Sequence, residues 1–137
     1  MVLMGNKIKS INFNELLGVM EHDEAFITDC FIDFIDIYTD FLDPINRAIQ
    51  TKETDLIVKA TENFRKILMI ISADRALDLV LNIQHLCVHG RKKHLANVYL
   101  ELCVECDLLR HLMGSYVCRI QKNNPGRMIA RKEFLQN

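Results

Sequence analysis

The segment DEAFITDCFIDFIDIYTDFLDPINRAIQ, residues 23–50, has the pattern of one long amphipathic helix. Its apolar residues recur in steps of three and four, which places them along one helical face. They are Ile27, Cys30, Phe31, Phe34, Tyr38, Phe41, Leu42 and Ile45. Pro44 lies inside the segment and predicts a kink or a break, because proline lacks the N–H that continues a helix. A long helix with one apolar face requires other elements to cover that face.

The opposite face of the same segment carries five aspartates in steps of four, three, four and three, which we call the acidic stripe. Its members are Asp29, Asp33, Asp36, Asp40 and Asp43. Neighbouring like charges at this spacing repel each other by a few tenths of a kcal/mol. The pattern is typical of a solvated helix face, and it is also compatible with a docking strip for a basic partner.

Further helices are predicted on both sides of this segment. Their expected ranges are 12–20, about 54–71 with Thr54 or Asp55 as cap, Ser72 or Asp74 to about His89, and about 92–113. Gly90 follows the fourth helix at the usual C-terminal position of glycine. Short connections make consecutive helices antiparallel. The sequence therefore predicts an all-α fold, an antiparallel four-helix bundle over 1–113 with an extra short N-terminal helix.

The composition agrees with one helical domain. The chain has 137 residues, half of them apolar, with only two prolines and five glycines, so many short strands joined by turns are not expected. No apolar run reaches the ~18–20 residues of a membrane span. The N-terminal residues lack the apolar stretch of a signal peptide, and the five cysteines are an odd number. We therefore expect a cytoplasmic protein with reduced thiols and no membrane association.

Charge is divided unevenly along the chain. Residues 1–54 contain ten acidic and four basic side chains, whereas residues 55–137 contain eight acidic and thirteen basic ones. A basic C-terminal extension is expected over 114–137, with a short helix over 127–135. Its basic residues are Arg119, Lys122, Arg127, Arg131 and Lys132. We expect this tail to contact the acidic stripe, in one chain or between two, or otherwise to be a solvated terminus. It lacks the interleaved aromatic residues that would favour nucleic acid as a partner.

Signatures of catalysis are absent from the sequence. There is neither a glycine-rich phosphate loop nor a Gly-x-Ser-x-Gly elbow. Cys103 and Cys106 form a CxxC inside a predicted helix, which favours core cysteines over a redox motif. His85 and His89 share a helix face and could hold a metal, but Cys103 and Cys106 are expected to lie well away from them, and His94 could approach His89 near the turn. The sequence predicts no catalytic residue, no metal and no cofactor.

Four features share their order and spacing with a known family. They are Asp23-Glu24-Ala25-Phe26 at the start of the long helix, the stretch Phe41-Leu42-Asp43-Pro44-Ile45 late in it, the turn Lys52-Glu53, and the turn at Gly90. In these features the chain from about residue 13 to 113 resembles the histidine-containing phosphotransfer (HPt) domains of multistep phosphorelays. The resemblance implies a four-helix bundle whose third helix carries the functional surface.

The resemblance also implies what this chain lacks. It puts Glu62, near the middle of the third helix and expected to be exposed, where the family has its phosphorylatable histidine. Arg65 falls at the position of a lysine, while Lys66 and Ser72 fall at positions of glycines. A glutamate has no ring nitrogen that could form a phosphoramidate, and Glu62 is expected to pair with Lys66 at i,i+4. The resemblance therefore implies a protein that is not an enzyme.

The outer side of the third helix becomes the expected binding surface, which we call the docking face. It consists of Lys59, Glu62, Arg65, Lys66 and Met69. The expected function is that of a non-catalytic signalling adaptor that binds a receiver domain or a histidine kinase of a phosphorelay system. Two alternatives remain: a true phosphotransfer protein with a shifted acceptor, and a helical self-assembly protein unrelated to phosphorelay. Residues 76–88 are apolar nearly all round, which favours a homo-oligomer.

Overall fold

The computed structural model describes residues 9–21 and 23–123, and every regular element within these ranges is helical. The elements are α1 (Phe13–Val19), α2 (Glu24–Thr51), α3 (Thr54–Ile70), α4 (Asp74–Val88), a 3-10 turn (Lys92–His94) and α5 (Leu95–Asn123). The predicted all-α class and the short N-terminal helix are confirmed. None of the helices in the described ranges combines the length and apolar character of a membrane span.

Side-chain caps define where the first two helices begin. The carboxylate of Asp23 accepts a hydrogen bond from the Phe26 N–H at 3.0 Å, and Asn12 accepts one from the Glu15 N–H at 3.2 Å. Pro44 does not divide α2, which continues to Thr51. Lys52 then takes a left-handed conformation, with φ of 62°, and ends the helix.

The expected caps of α3 and α4 are wrong. Glu53 and Ala73 occupy the cap positions, and neither gives a side-chain hydrogen bond to its helix. Thr54 and Asp74 are instead the first residues of these helices. The turn between α3 and α4 contains a backbone hydrogen bond from the Ala73 N–H to the Leu68 carbonyl at 3.0 Å, whereas in the turn between α2 and α3 the Thr51 hydroxyl accepts a hydrogen bond from the Glu53 N–H at 3.1 Å.

Each of the four long helices packs against two others. Helix α2 contacts α3 and α5, and α4 contacts the same two helices. The Tyr38 hydroxyl donates to Asp107 at 3.4 Å and the Tyr99 hydroxyl donates to the Leu42 carbonyl at 3.2 Å, so α2 and α5 run in opposite directions. Consequently α3 and α5 lie diagonally across the core, and their outer surfaces point away from each other.

Aromatic side chains occupy the centre of the core. Phe64 of α3 is fully buried and stacks on Phe34 and Phe41 of α2, with ring centroids 6.1 and 5.5 Å apart. The apolar spacing of the sequence predicts eight core positions on the four long helices, and seven of them are buried. Those buried are Phe34, Tyr38, Phe64, Leu68, Val80, Leu102 and Leu109, whereas Ile67 is only partly buried.

Helix α5 extends to Asn123, past the end expected at Met113. Gly114 lies within the helix, and Tyr116 and Val117 are buried against the core after it. Tyr116 packs on the rings of Phe13 and Phe31, at 5.8 and 5.2 Å between centroids, which ties the end of α5 to α1 and α2. The first part of the expected C-terminal extension is therefore a packed helix.

The basic residues expected in the tail fall into two groups. Arg119 and Lys122 are exposed on α5, and the Arg119 guanidinium lies 5.8 Å from the Tyr116 ring centroid. Arg127, Arg131 and Lys132, together with the helix expected over 127–135, lie outside the described residues. The contact between tail and acidic stripe therefore stays a prediction.

One carboxylate is buried between α4 and α5. Glu105 is 4% exposed, and its Oε1 lies 3.3 Å from the guanidinium Nε of Arg75. Its Oε2 has no hydrogen-bond partner within the described part of the chain. A buried carboxylate with only one of its two oxygens paired adds little stability, because the cost of removing it from water offsets its attraction to the arginine.

Replacing Phe64 by alanine should lower the free energy of unfolding by about 3–5 kcal/mol, because it leaves a cavity between two helices. Phe26→Ala is the matched control, since Phe26 is 52% exposed, and should cost about 1 kcal/mol or less. Urea unfolding of both variants measures the difference. Equal losses would contradict the central position of Phe64.

Replacing Glu105 by leucine should leave stability unchanged or raise it by up to about 4 kcal/mol, because it removes the desolvated charge. Arg75→Met should instead lower stability by about 1–3 kcal/mol, since it leaves a buried carboxylate unpaired. Because Arg75 is half-exposed and solvent screens its charge, this substitution costs less stability than the loss of a fully buried partner would. Urea unfolding measures both variants. A greater loss of stability in Glu105→Leu than in Arg75→Met would contradict the idea that the buried carboxylate is destabilising.

Candidate functional site

The burial of Phe64 sets the rotation of α3 about its own axis. Thr61 and Leu68, one turn to either side, are also fully buried, and the Thr61 hydroxyl donates to the Ile57 carbonyl at 2.8 Å. The docking face is consequently turned outward, as expected. Lys59, Lys66 and Met69 are exposed, while the side chains of Glu62 and Arg65 are 35% and 29% exposed.

Glu62 is held by two neighbours, and neither is the one expected. The Arg65 guanidinium donates from Nε to Oε1 of Glu62 at 2.9 Å and from Nη2 to Oε2. The Gln84 amide of α4 also donates to Oε1, at 3.2 Å, and to the Thr61 hydroxyl at 3.0 Å. The predicted pair with Lys66 is therefore wrong. Arginine matches both carboxylate oxygens with its planar fork, which a lysine ammonium cannot do.

The geometry fixes Glu62 in its charged form. Hydrogen bonds from Arg65, and then from Gln84, lower the pKa of Glu62 from its ordinary value of 4.5 to about 2. The same contact raises the pKa of Arg65. Both carboxylate oxygens of Glu62 are engaged in hydrogen bonds. It is thus a fixed anion at neutral pH, and both of its oxygens already accept hydrogen bonds at the place where a phosphoryl group would have to bind.

A broad cavity opens where the docking face ends at Met69. The Sδ atom of Met69 lies 3.3 Å from Nη1 of Arg65, which joins this apolar side chain to the Glu62 network. Next to it lies a cavity of about 520 Å³ between α1, α2, α3 and α4. Its walls are mostly apolar and include Phe26 and Ile70, both of which are large exposed side chains. This end of the docking face can receive an apolar group.

A second groove lies at the other end, beside Lys59. It has a volume of about 350 Å³ and runs between α2 and α3. The groove is lined by Pro44, Arg47, Ala48, Thr51, Leu56, Lys59, Ala60 and Asn63. Small side chains form its floor and two cations form its rim. The docking face is therefore bounded by a groove at each end.

The acidic stripe lies on the neighbouring helix, and all five of its aspartates are exposed. The docking face has three cations and one anion, a formal charge of +2 (3 − 1). Helices α2 and α3 pack side by side, so neighbouring helices carry surfaces of opposite charge. A partner that covered both would have to be charged in the complementary order, which favours one orientation over others.

The other residues singled out in the sequence form no reactive site in the described ranges. Cys106 is buried, and burial raises the pKa of its thiol, while Cys103 is partly buried. These positions agree with core cysteines. The rings of His85 and His89 lie 4.3 Å apart, and no group of three or more metal-ligating side chains occurs among the described residues. His22 lies outside those residues.

Sequence reasoning missed Gln84, the residue that completes the Glu62 network. The sequence does contain a feature that points to Gln84 as a partner of Glu62. If α3 and α4 form an antiparallel hairpin about residue 73, position 84 faces positions 61 and 62. Gln84 is a polar side chain in a segment that is otherwise nearly all apolar, and such a residue needs a hydrogen-bonding partner.

Comparisons of the chain with models of protein families, with curated proteins and with solved structures found no match. No relative therefore assigns a role to a residue of the docking face.

The Glu62 network predicts a specific pH dependence. Because the pKa of folded Glu62 is lowered, its contribution to stability is present above about pH 4.5 and is lost as the pH falls toward about 2. Glu62→Gln should therefore lower the free energy of unfolding at neutral pH, and the difference should disappear across this interval. Glu101→Gln, at an exposed position of α5, is the control. Urea unfolding from pH 7 to pH 2 measures both, and a loss in Glu62→Gln that does not change with pH would refute the network.

Proposed function

We propose that this chain is a non-catalytic adaptor of the HPt type, which binds a receiver domain or a histidine kinase in the cytoplasm. The observation that carries the proposal is the state of Glu62. The resemblance puts this residue where the family has its phosphorylatable histidine, and here a charged carboxylate that accepts three hydrogen bonds occupies the position. The Glu62 side chain is held in place and can serve as a contact for a partner protein.

The contacts among the long helices support the HPt architecture. In the proposed four-helix bundle, α2, α3, α4 and α5 surround one core, and each packs against two neighbours. The third helix then has one side in the core and one side toward solvent. This gives the docking face its outward direction in the same way as the family requires.

The chemistry of the docking face argues against phosphate transfer. A phosphorelay acceptor needs an unprotonated ring nitrogen directed to solvent, and no residue of the docking face offers one. Lys66 stands where the family has a glycine, so a long side chain projects beside Glu62. The carboxylate itself is engaged by Arg65 and Gln84. Acceptance of a phosphoryl group would require breaking these bonds.

The same features favour binding. Lys59 and Lys66 are exposed and form no ion pair within the described part of the chain. Two cations raise the rate of encounter with an acidic partner surface. Met69 beside the larger cavity offers a flexible apolar anchor, and methionine is suited to irregular partner surfaces. A receiver domain or kinase with an acidic surface and an exposed apolar helix would meet these requirements.

A self-assembly role has its own support, although not from the helix expected. The apolar residues of α4 are mostly buried, since the helix packs against both α3 and α5. Its buried residues are Ala76, Leu79, Val80, Ile83, Leu86 and Cys87. Only Leu81 and Val88 of its large apolar side chains are exposed. Helix α5 instead carries four large exposed apolar side chains, Leu100, Val104, Leu108 and Leu112, and self-assembly through them is compatible with the adaptor function.

A direct binding experiment tests the proposal. The chain should bind at least one of the receiver domains or histidine kinases encoded in its genome of origin, as measured by calorimetry. Replacing Lys59 and Lys66 together by glutamate should weaken that binding by roughly tenfold or more, because two attractive contacts become repulsive.

The matched control is the double substitution of Arg91 and Lys93 by glutamate, since both residues are exposed and lie away from the docking face. It makes the same change in net charge and should leave binding nearly unchanged. Equal weakening in both double variants would show nonspecific attraction. Absence of binding to every receiver and kinase of the genome would overturn the adaptor function.

A further inference from the structure

The larger cavity, beside Met69, combines apolar walls with an acidic edge. Phe26, Met69 and Ile70 give it large apolar side chains, each more than half exposed. The charged side chains in its lining are Glu15 and Asp74, and neither forms an ion pair within the described part of the chain. Its volume of about 520 Å³ is in the range of pockets that hold a ligand, so several side chains of a peptide fit. The cavity suits a segment that is both apolar and basic.

Negative charge continues beside the cavity. Phe26 and Asp29 are three residues apart on α2, so the acidic stripe begins one helical turn from the cavity wall. Of the cations nearby, Arg65 and Arg75 each pair with a carboxylate outside the cavity lining. Lys66 lies one turn back along α3 and also outside the lining. An occupant of the cavity therefore meets more negative than positive charge.

Helix α5 ends at the same end of the bundle as the cavity. Tyr116 packs on Phe31 near the start of α2, and α5 runs antiparallel to α2, so Asn123 lies beside the beginning of α2. A path from there past one neighbouring helix covers two interhelix distances, or roughly 20 Å. Residues 124–137 follow Asn123, and an extended chain of that length spans roughly 45 Å. This segment, which we call the C-terminal segment, is long enough to reach the cavity of its own chain.

The sequence of the C-terminal segment has both properties that the cavity requires. It contains three cations and one anion, a formal charge of +2 (3 − 1), and four large apolar side chains, Met128, Ile129, Phe134 and Leu135. Residues 1–8 are a poorer match, since they contain one cation. They also join the structure on another side, because the Lys9 carbonyl accepts a hydrogen bond from the N–H of Arg75, whose side chain is directed to α5.

We propose that the C-terminal segment docks in this cavity of its own chain, with apolar side chains inside and cations at the acidic edge. A short tether gives a segment an effective concentration in the millimolar range. A segment with an intrinsic dissociation constant of about 0.1 mM would therefore be docked roughly ten times as often as free. Exposed ion pairs contribute little each, so the apolar contacts supply most of the affinity and the charges set the position.

The consequence for the docking face rests on the proposed function. Met69 belongs both to the docking face and to the cavity wall, so a docked segment covers the apolar anchor that a partner would use. A partner then binds only the fraction of chains whose cavity is open, which lowers its apparent affinity. Occupancy itself is measured without a partner. Its failure leaves the adaptor function standing, and the lack of a partner leaves the occupancy standing.

A fluorescent reporter tests the occupancy directly. The chain contains no tryptophan, so Phe134→Trp and, in a second variant, Leu135→Trp each place a single indole in the C-terminal segment. In the full-length chain the emission should be shifted to the blue, and quenching by acrylamide should be roughly fivefold weaker or more than in the peptide 124–137 with the same substitution. If both reporters are as exposed as in the peptide, or become protected only after deletion of residues 1–8, the proposal is overturned.

Ile70→Lys tests the cavity as the seat, with Val88→Lys as its matched control. Both residues are exposed, 59% and 63%, and Val88 lies at the other end of the bundle. Ile70→Lys should return the quenching to that of the peptide, because it puts a cation into the apolar wall. Val88→Lys should leave the quenching unchanged, and circular dichroism should show equal helix content. Equal effects of the two substitutions would contradict docking in this cavity.

Charge and concentration tests identify the occupant. Glu15→Lys with Asp74→Lys should release the reporter, whereas Glu53→Lys with Asp55→Lys makes the same change in net charge at the other end of the bundle and should not. Equal effects of these double variants would overturn the charge match. Quenching should be the same at about 1 and 100 μM, because the segment belongs to the same chain. Protection that appears only at the higher concentration would assign the cavity to a second copy and overturn the proposal.

Discussion

The burial of Phe64 between Phe34 and Phe41 is the constraint on which the arrangement of α3 depends. A side chain held in the core fixes the rotation of its whole helix, because each successive residue is turned by about 100° from the one before it. With Phe64 inside, Thr61 and Leu68 are also inside, and the docking face is outside. The outward position of the docking face is therefore a consequence of packing.

The same rotation explains the chemistry of Glu62. It directs this side chain to the edge of α3 that meets α4, within reach of Gln84 and on the side of Arg65. An ion pair at the edge of two packed helices is better ordered than one on an isolated surface, since a third group orients it. The result is an anion fixed beside Lys66, next to a helix that carries the acidic stripe. Charge and shape together define which partner surfaces can approach.

Helical periodicity was enough to predict the class of fold, the exposed acidic stripe and the outward docking face, because each depends only on which residues share a side. It was not enough for the end of α5. The sequence analysis ends this helix at about residue 113, although Tyr116 and Val117 continue the apolar spacing and are buried. Nor could spacing choose between Arg65 and Lys66 as the partner of Glu62, since that choice depends on guanidinium geometry and on a residue of another helix.

We propose that an HPt-type scaffold here presents a fixed carboxylate in place of a phosphate acceptor. Transfer of radiolabelled phosphate from phosphorylated receiver domains tests it most directly, with the unmodified chain beside Glu62→His and the double variant Glu62→His, Lys66→Gly. We expect no label on the unmodified chain, little on Glu62→His because Lys66 still crowds the site, and acid-labile label on the double variant. Efficient labelling of the unmodified chain, or a folded double variant that no receiver domain labels, would contradict it.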